Sequence, residues 1–115
     1  MNVYGITDCG LVRTMNQDSY ASCELDHGIL AVVCDGMGGA KSGNVASQMA
    51  VDRFVSAIQE STMEEPAAVL NQALDEANDA VRRRSLEDEN CAGMGTTLVA
   101  AYLQSDLHGY VLNVG

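Results

Sequence analysis

The sequence predicts an α+β domain in which an antiparallel pair of helices lies on a sheet. Three observations carry that reading. A nearly continuous apolar run, Ile29 to Cys34, has the length of a strand. Two stretches that follow repeat apolar residues at helical spacing, and strand-like patterning returns from Thr96 to Leu103 and from His108 to Val114. The order is strands, two helices, strands, which suits a layered α+β domain better than the βαβ alternation of a parallel sheet.

Asn2 to Ile6 is a short candidate strand, Thr7-Asp8-Cys9-Gly10 a turn, and Leu11 to Asn16 an irregular connection. Ser19 to Leu25 and Ile29 to Cys34 pair as a hairpin through Asp26-His27-Gly28, which has the Asp and Gly that tight turns favour. The second strand lacks polar alternation, so burial on both faces is expected. Gly36-Met37-Gly38-Gly39 ends it, and a helix starts near Ser42 with Ala46, Ala50, Phe54 and Ile58 on one stripe. The next helix begins near Pro66, a residue tolerated in the first turn, and carries Leu70, Ala73, Leu74, Ala77 and Val81 inward. Arg82-Arg83-Arg84 closes it, where cations complement the helix dipole, and Glu87-Asp88-Glu89 reads as a solvated loop. A polar turn at Gln104-Ser105-Asp106 separates the last two strands.

The 115 residues are enough for one domain, and 47% of them are hydrophobic. With one Phe and no Trp, the core must be built from Ala, Val, Leu, Ile and Met. A net charge of -10, from 16 acids and 6 bases, argues against nucleic acid or an anionic membrane as partner. No apolar run approaches the ~20 residues that cross a bilayer, and a cytoplasmic location is expected. Cys9, Cys23, Cys34 and Cys91 form no C-x-x-C pair, which fits reduced thiols rather than a disulfide framework or a zinc site. None precedes an Arg at the spacing of a thiolate phosphatase loop; Cys34 has Ala40 there.

The most informative segment runs from Ala31 to Gly39, where Asp35 follows an apolar strand and glycines remove the nearby side chains. Glycines let backbone approach a ligand closely, and a hard cation such as Mg²⁺ or Mn²⁺ prefers oxygen donors and keeps several waters. One carboxylate and one carbonyl are a plausible partial site, although an ordinary Asp-Gly turn gives the same pattern. Other phosphate chemistries fit less well. A dinucleotide fingerprint needs G-x-G-x-x-G and a following strand, a Walker loop needs a glycine before Lys41, and an aspartyl-phosphate enzyme needs Asp where Met37 stands. Upstream, Arg13 offers a planar fork of donors that matches phosphate oxygens, and Asp18 precedes the strand that pairs with the one leading to Asp35. Hairpin counting puts Asp18 and Asp35 at the same open end. Taken singly, a surface cation at Arg13 and a turn former at Asp18 are the commoner readings.

Taken together these residues resemble PP2C-type (PPM) protein phosphatases of the bacterial branch. Arg13 with Asn16-Gln17-Asp18-Ser19, Val33-Cys34-Asp35-Gly36-Met37-Gly38-Gly39, Ser42-Gly43 with Ala46-Ser47, Gly93-Met94-Gly95-Thr96-Thr97-Leu98, and Asn113-Val114-Gly115 follow the order of that family's motifs. The resemblance implies a four-layer α-β-β-α sandwich, of which residues 1–115 would form the N-terminal half as a single incomplete domain. It implies two Mn²⁺ or Mg²⁺ ions, bridged by Asp35, with Asp18 and the Gly36 backbone carbonyl holding one of them and Arg13 binding phosphate. The implied reaction is hydrolysis of phosphoserine or phosphothreonine in proteins by metal-activated water, opposite a Ser/Thr kinase.

Two departures qualify it. Met37 stands where some members carry a His proposed to protonate the leaving group, and Met has no proton to give; His27 and His108 are expected to have no catalytic part. The family's later metal-binding aspartates have no counterpart before Gly115. The chain as given is therefore expected to bind at most one divalent ion weakly, to show little activity and to self-associate. The alternative is a non-catalytic half-domain that serves as a binding or dimerisation module.

Overall fold

The structure is a computed structural model that describes residues 10–13, 18–25, 28–38, 42–62, 64–104 and 108–114. Its centre is the expected hairpin. β2 (Asp18–Leu25) and β3 (Gly28–Met37) run antiparallel in continuous register from Leu25↔Gly28 to Asp18↔Asp35. β1 (Gly10–Arg13) pairs with β2, and β5 (Leu98–Gln104) pairs with the other edge of β3. β6 (Gly109–Val114) closes that side, while the short β4 (Gly95–Thr96) pairs with the end of β3. The sheet order is β1-β2-β3-β5-β6, antiparallel throughout.

Three expectations about strands are corrected. Gly36 and Met37 extend β3 rather than end it, because β4 supplies partners in the register Gly36↔Thr96 and Met37↔Gly95. Gly10 to Arg13 forms a strand where an irregular connection from Leu11 was expected, since the edge of β2 offers unpaired backbone groups. β3 is not buried on both faces. Leu30, Val32 and Cys34 point into the core, whereas Ala31, Val33, Asp35 and Met37 lie on an exposed face. Without polar alternation the sequence could not report this, because the exposed face is itself apolar: Tyr20, Val33, Val99 and Val111 all stand on it. The candidate strand at Asn2 to Ile6 lies outside the described residues.

One face of the sheet is covered by α1 (Ser42–Glu60), and α2 (Pro66–Glu87) packs against α1. Ala46, Ala50 and Phe54 are buried as their spacing predicts, and Ile58 packs at the margin. Ser47, Val51, Val55 and Ala57 are buried too, because α1 has a neighbour on two sides. α2 has one principal neighbour and buries a narrower stripe, Leu70, Ala73, Ala77 and Val81. Small side chains at the contacts allow close approach of the layers, and Phe54, with no exposed surface, fills the largest share of the interior. Arg53 on α1 reaches Glu76 on α2 at 2.7 Å, but both side chains are more than one-third exposed, so the pair adds little.

The ends of α2 follow from local chemistry. The Glu65 carboxylate accepts the Ala67 N–H at 3.1 Å, and Pro66 occupies the first turn, whose N–H groups lack helical partners anyway. At the other end the Asp88 N–H donates to the Arg84 carbonyl at 3.0 Å, and the Arg84 guanidinium meets the Asp88 carboxylate at 3.4 Å. The acidic stretch is therefore not a plain solvated loop. Glu87 belongs to the helix, and Asp88 also accepts the Asn90 N–H at 2.9 Å, starting a short 3-10 turn, Glu89–Cys91. These bonds, that from Asn90 foremost, hold the Asp88 carboxyl below its ordinary range.

Cys34 and Cys91 are buried free thiols. Cys23 is disulfide-bonded, which corrects the expectation of reduced thiols throughout; spacing along a chain does not report which cysteines a sheet brings together. Replacing the buried ring in Phe54→Ala should lower unfolding free energy by about 3–5 kcal/mol. Arg53→Ala should cost under about 1 kcal/mol. Urea titration of the two variants beside the parent protein would measure the difference.

Candidate metal centre

Strand register brings Asp18, Asp35 and Gly36 to one end of the sheet, with Arg13 in the adjacent row. The partners in that row, Ser19 and Cys34, face the core rather than the exposed side on which Asp35 stands. Arg13, the last residue of β1, is partnered by Ser19 on β2, and Ser19 in turn by Cys34 on β3. In the next row Asp18 is partnered by Asp35. Gly36 and Met37 follow on β3, paired with Thr96 and Gly95.

The kind of pairing matters. The Asp35 carbonyl accepts the Thr97 N–H at 3.0 Å, so the backbone polar groups of Asp35 face the β4–β5 side. Asp18 and Asp35 are therefore a non-hydrogen-bonded pair, the class in which opposed Cα atoms approach to about 4.5 Å. Because backbone groups alternate in direction along a strand, the Gly36 carbonyl is directed to the opposite side, where β2 begins at Asp18. Like charges directly opposed across a sheet destabilise it. The Asp35 carboxylate on the exposed face and the Gly36 carbonyl directed toward the start of β2 are oxygen donors of the kind a hard divalent cation takes while retaining water. Among the described residues no group of three or more His, Cys, Asp or Glu could hold a metal ion.

Neighbouring residues fix the strands that carry these groups. Ser19, next to Asp18, is 1% exposed, and its hydroxyl lies 3.0 Å from that of Ser47 on α1. Ser47 donates to the Asn44 carbonyl at 3.3 Å, leaving Ser19 as donor to Ser47. The start of β2 is thus tied to the helix beneath it. Gly38 has a φ of 153°, and a Cβ there would collide with the Ser42 hydroxyl, so the passage from β3 toward α1 requires glycine.

Among the described residues no thiol stands where it could act as a nucleophile at this corner. Cys34 adjoins Asp35 but points into the core, and burial pushes its thiol up to about 12 despite a hydrogen bond with Thr96 that acts the other way. Met37 is exposed beside the aspartates and carries no transferable proton. His108 lies at the far end of the sheet, where its carbonyl accepts the Gln104 N–H; His27 falls outside the described residues.

A family model described as protein phosphatase 2C matches residues 12–115. The chain belongs to the protein phosphatase 2C family. The serine/threonine phosphatase stp of Listeria monocytogenes serotype 4b is 38% identical over 115 residues, which cover 95% of this chain and 45% of that protein. The serine/threonine protein phosphatase PstP of Mycobacterium tuberculosis is 33% identical over 106 residues. The crystal structure of PstP/Ppp superposes with a TM-score of 0.70 at 29% identity, covering 95% of this chain and 44% of that one. The PstP catalytic domain solved in complex with 2 manganese ions gives a TM-score of 0.67 at 29% identity. The α+β arrangement thus matches a part of a larger family fold, and the chain spans about 45% of the length of the Listeria relatives it matches.

Two further residues at the site, Thr96 and Thr97, were legible only as members of a motif. Their signal lay in the register: β3 and β5 pair with Val33 opposite Val99, and counting back two rows brings Thr97 opposite Asp35. The buried thiol offers a direct measurement. Iodoacetamide at pH 8 should leave Cys34 unmodified in the folded protein and label it once urea is added, as peptide mass mapping would show. Stability gained by keeping this thiol protonated is complete below about 9, where an unfolded thiol titrates, and is lost as pH rises toward about 12.

Proposed function

We propose that this chain contributes the first half of a metal-dependent site that hydrolyses phosphoserine and phosphothreonine in proteins. The observation that carries this reading is the non-hydrogen-bonded pairing of Asp18 with Asp35, with the Gly36 carbonyl directed to the same side. Manganese in a PstP structure supports the choice of a hard divalent ion. Asp35 would be the carboxylate common to the two ions of a complete site, and Asp18 and the Gly36 carbonyl would hold one of them. By the family resemblance Arg13, at the same end of the sheet, is the phosphate-binding residue, its guanidinium fork matching phosphate oxygens. When bound, Mn²⁺ or Mg²⁺ supplies charge neutralisation at the phosphoryl group and an activated water.

The protein's own residues hold and orient. Strand pairing fixes the backbone of the two aspartates, and the burial of Cys34 in the core supports attack by water over a thiol-bound intermediate. With Met37 at the strand end, protonation of the leaving alkoxide falls to solvent rather than to this side chain. Phosphoproteins made by a Ser/Thr kinase are the substrate class. In manganese-dependent assays with phosphothreonine peptides, the natural polypeptide carrying these residues should be active, and Asp35→Asn should lower kcat/KM by at least about 100-fold. Equal activity in the two would remove Asp35 from the metal-bridging role.

A second reading, a non-catalytic module that binds or dimerises, is favoured by the bare face of the sheet. Val111 is 78% exposed, Val33 49%, Val99 44% and Tyr20 41%, a contiguous apolar surface of the kind that marks contact with another layer. The 115-residue chain itself should bind at most one Mn²⁺ weakly, show little hydrolysis and elute from size-exclusion columns larger than a monomer. Val33→Asp with Val99→Asp should return it to monomer size; a monomeric parent chain would count against self-association.

A further inference from the structure

The strand facing β3 changes its bonding at one residue. β4 and β5 share a single register with β3, since Met37↔Gly95, Gly36↔Thr96 and Val33↔Val99 fall on one line, and Thr97 is the interruption between them. Opposite residues in a hydrogen-bonded antiparallel pair exchange two backbone bonds. Here the pair makes one of them, from the Thr97 N–H to the Asp35 carbonyl at 3.0 Å. The reciprocal donor, the Asp35 N–H, goes to the Thr97 hydroxyl at 3.3 Å. The Thr97 carbonyl, displaced from the ladder, has the Thr96 hydroxyl at 2.8 Å, and that hydroxyl is also 3.1 Å from the Asp35 carbonyl.

We infer that Thr96 and Thr97 are positioning residues for Asp35: their hydroxyls replace the missing ladder bond and so fix the backbone from which the metal-bridging carboxylate projects. The inference rests on Asp35 being a metal ligand. A hydroxyl is required at both positions for a stated reason. Without the one on Thr97 the Asp35 N–H has no acceptor, and without the one on Thr96 the Thr97 carbonyl loses its protein donor. Valine has nearly the same shape as threonine and removes only that function. The break also loosens the ladder at the single row where a ligand must be held, so the side chains restore a rigidity that the backbone gives up. Partners that orient a metal ligand typically change affinity by 10- to 100-fold when removed.

The test uses the natural polypeptide carrying these residues, with two readouts. In the metal-free protein, amide exchange at Asp35 should become about ten-fold faster in Thr97→Val, with the Val33 amide unchanged, and Thr97→Ser should restore the parent rate. In calorimetric titration with MnCl₂, Thr97→Val and Thr96→Val should each weaken binding by about ten-fold, again with recovery by serine. Leu98→Ala, at a buried neighbour outside the ladder defect, controls for general loosening and should leave Mn²⁺ affinity unchanged. Unaltered exchange at Asp35 in Thr97→Val, or weakening by Leu98→Ala equal to that by the valine variants, would overturn the inference. Asp35→Asn separates it from the reading beneath it. If Asp35→Asn loses Mn²⁺ affinity while the valine variants keep theirs, positioning by the threonines fails alone; if Asp35→Asn keeps it, the metal-ligand assignment fails as well.

Discussion

The antiparallel register between β2 and β3 is the constraint on which the rest of the molecule depends. A one-residue slip in that pairing would exchange the two faces of a strand, moving Leu30, Val32 and Cys34 out of the core. The same slip would separate Asp18 from Asp35 and Arg13's row from theirs. Packing and the placement of the candidate site are therefore set by one variable. The apolar side chains under α1 help to select the register, since a one-residue offset would turn them outward, and the placement of Asp18 opposite Asp35 at the strand ends follows from it. The Ser19–Ser47 hydroxyl pair adds a local check, because it forms only when β2 lies over α1 in that register.

Much of this was legible because the signals were local. Helix α1 announced itself by Ala46, Ala50 and Phe54, and α2 by Pro66 and an inward stripe that ends at Val81. The closeness of Asp18 and Asp35 followed from counting along a hairpin whose turn was marked by Asp26 and Gly28. The misread features depended on partners distant in sequence. Gly36 looks like the end of a strand until Thr96 is placed beside it. Gly10 to Arg13 has no strong strand pattern and is extended because β2 offers it an edge. The apolar run of β3 appeared buried twice over, yet one of its faces is bare, and hydrophobicity measures what a residue prefers rather than what lies against it. The pair Thr96-Thr97 was visible as a motif, but its bonding depends on an interruption that no pattern of side-chain polarity encodes.

The layers divide the labour unevenly. α1 is enclosed between sheet and α2, and its Ala and Ser positions set how closely both can approach. α2 touches mainly α1 and keeps a broad polar face, where its caps and the Arg84–Asp88 pair have room to act. Substitution on the outer face of α2 changes solvation; the same substitution on α1 changes the spacing of layers and, through Ser47, the seat of the strand beginning at Asp18.

The two sides of Asp35 also differ in when they can exist. Its partner Asp18 is reached through a short hairpin, so that side of the strand can form from local chain soon after synthesis. Thr96 and Thr97 arrive only after both helices have been made and have folded back, a closure across more than half of the chain whose entropic cost precedes any reward. The backbone pairing of Asp18 with Asp35 can thus form before the far side of Asp35 is secured, and the proposed metal site would be completed last, when β4 and β5 dock.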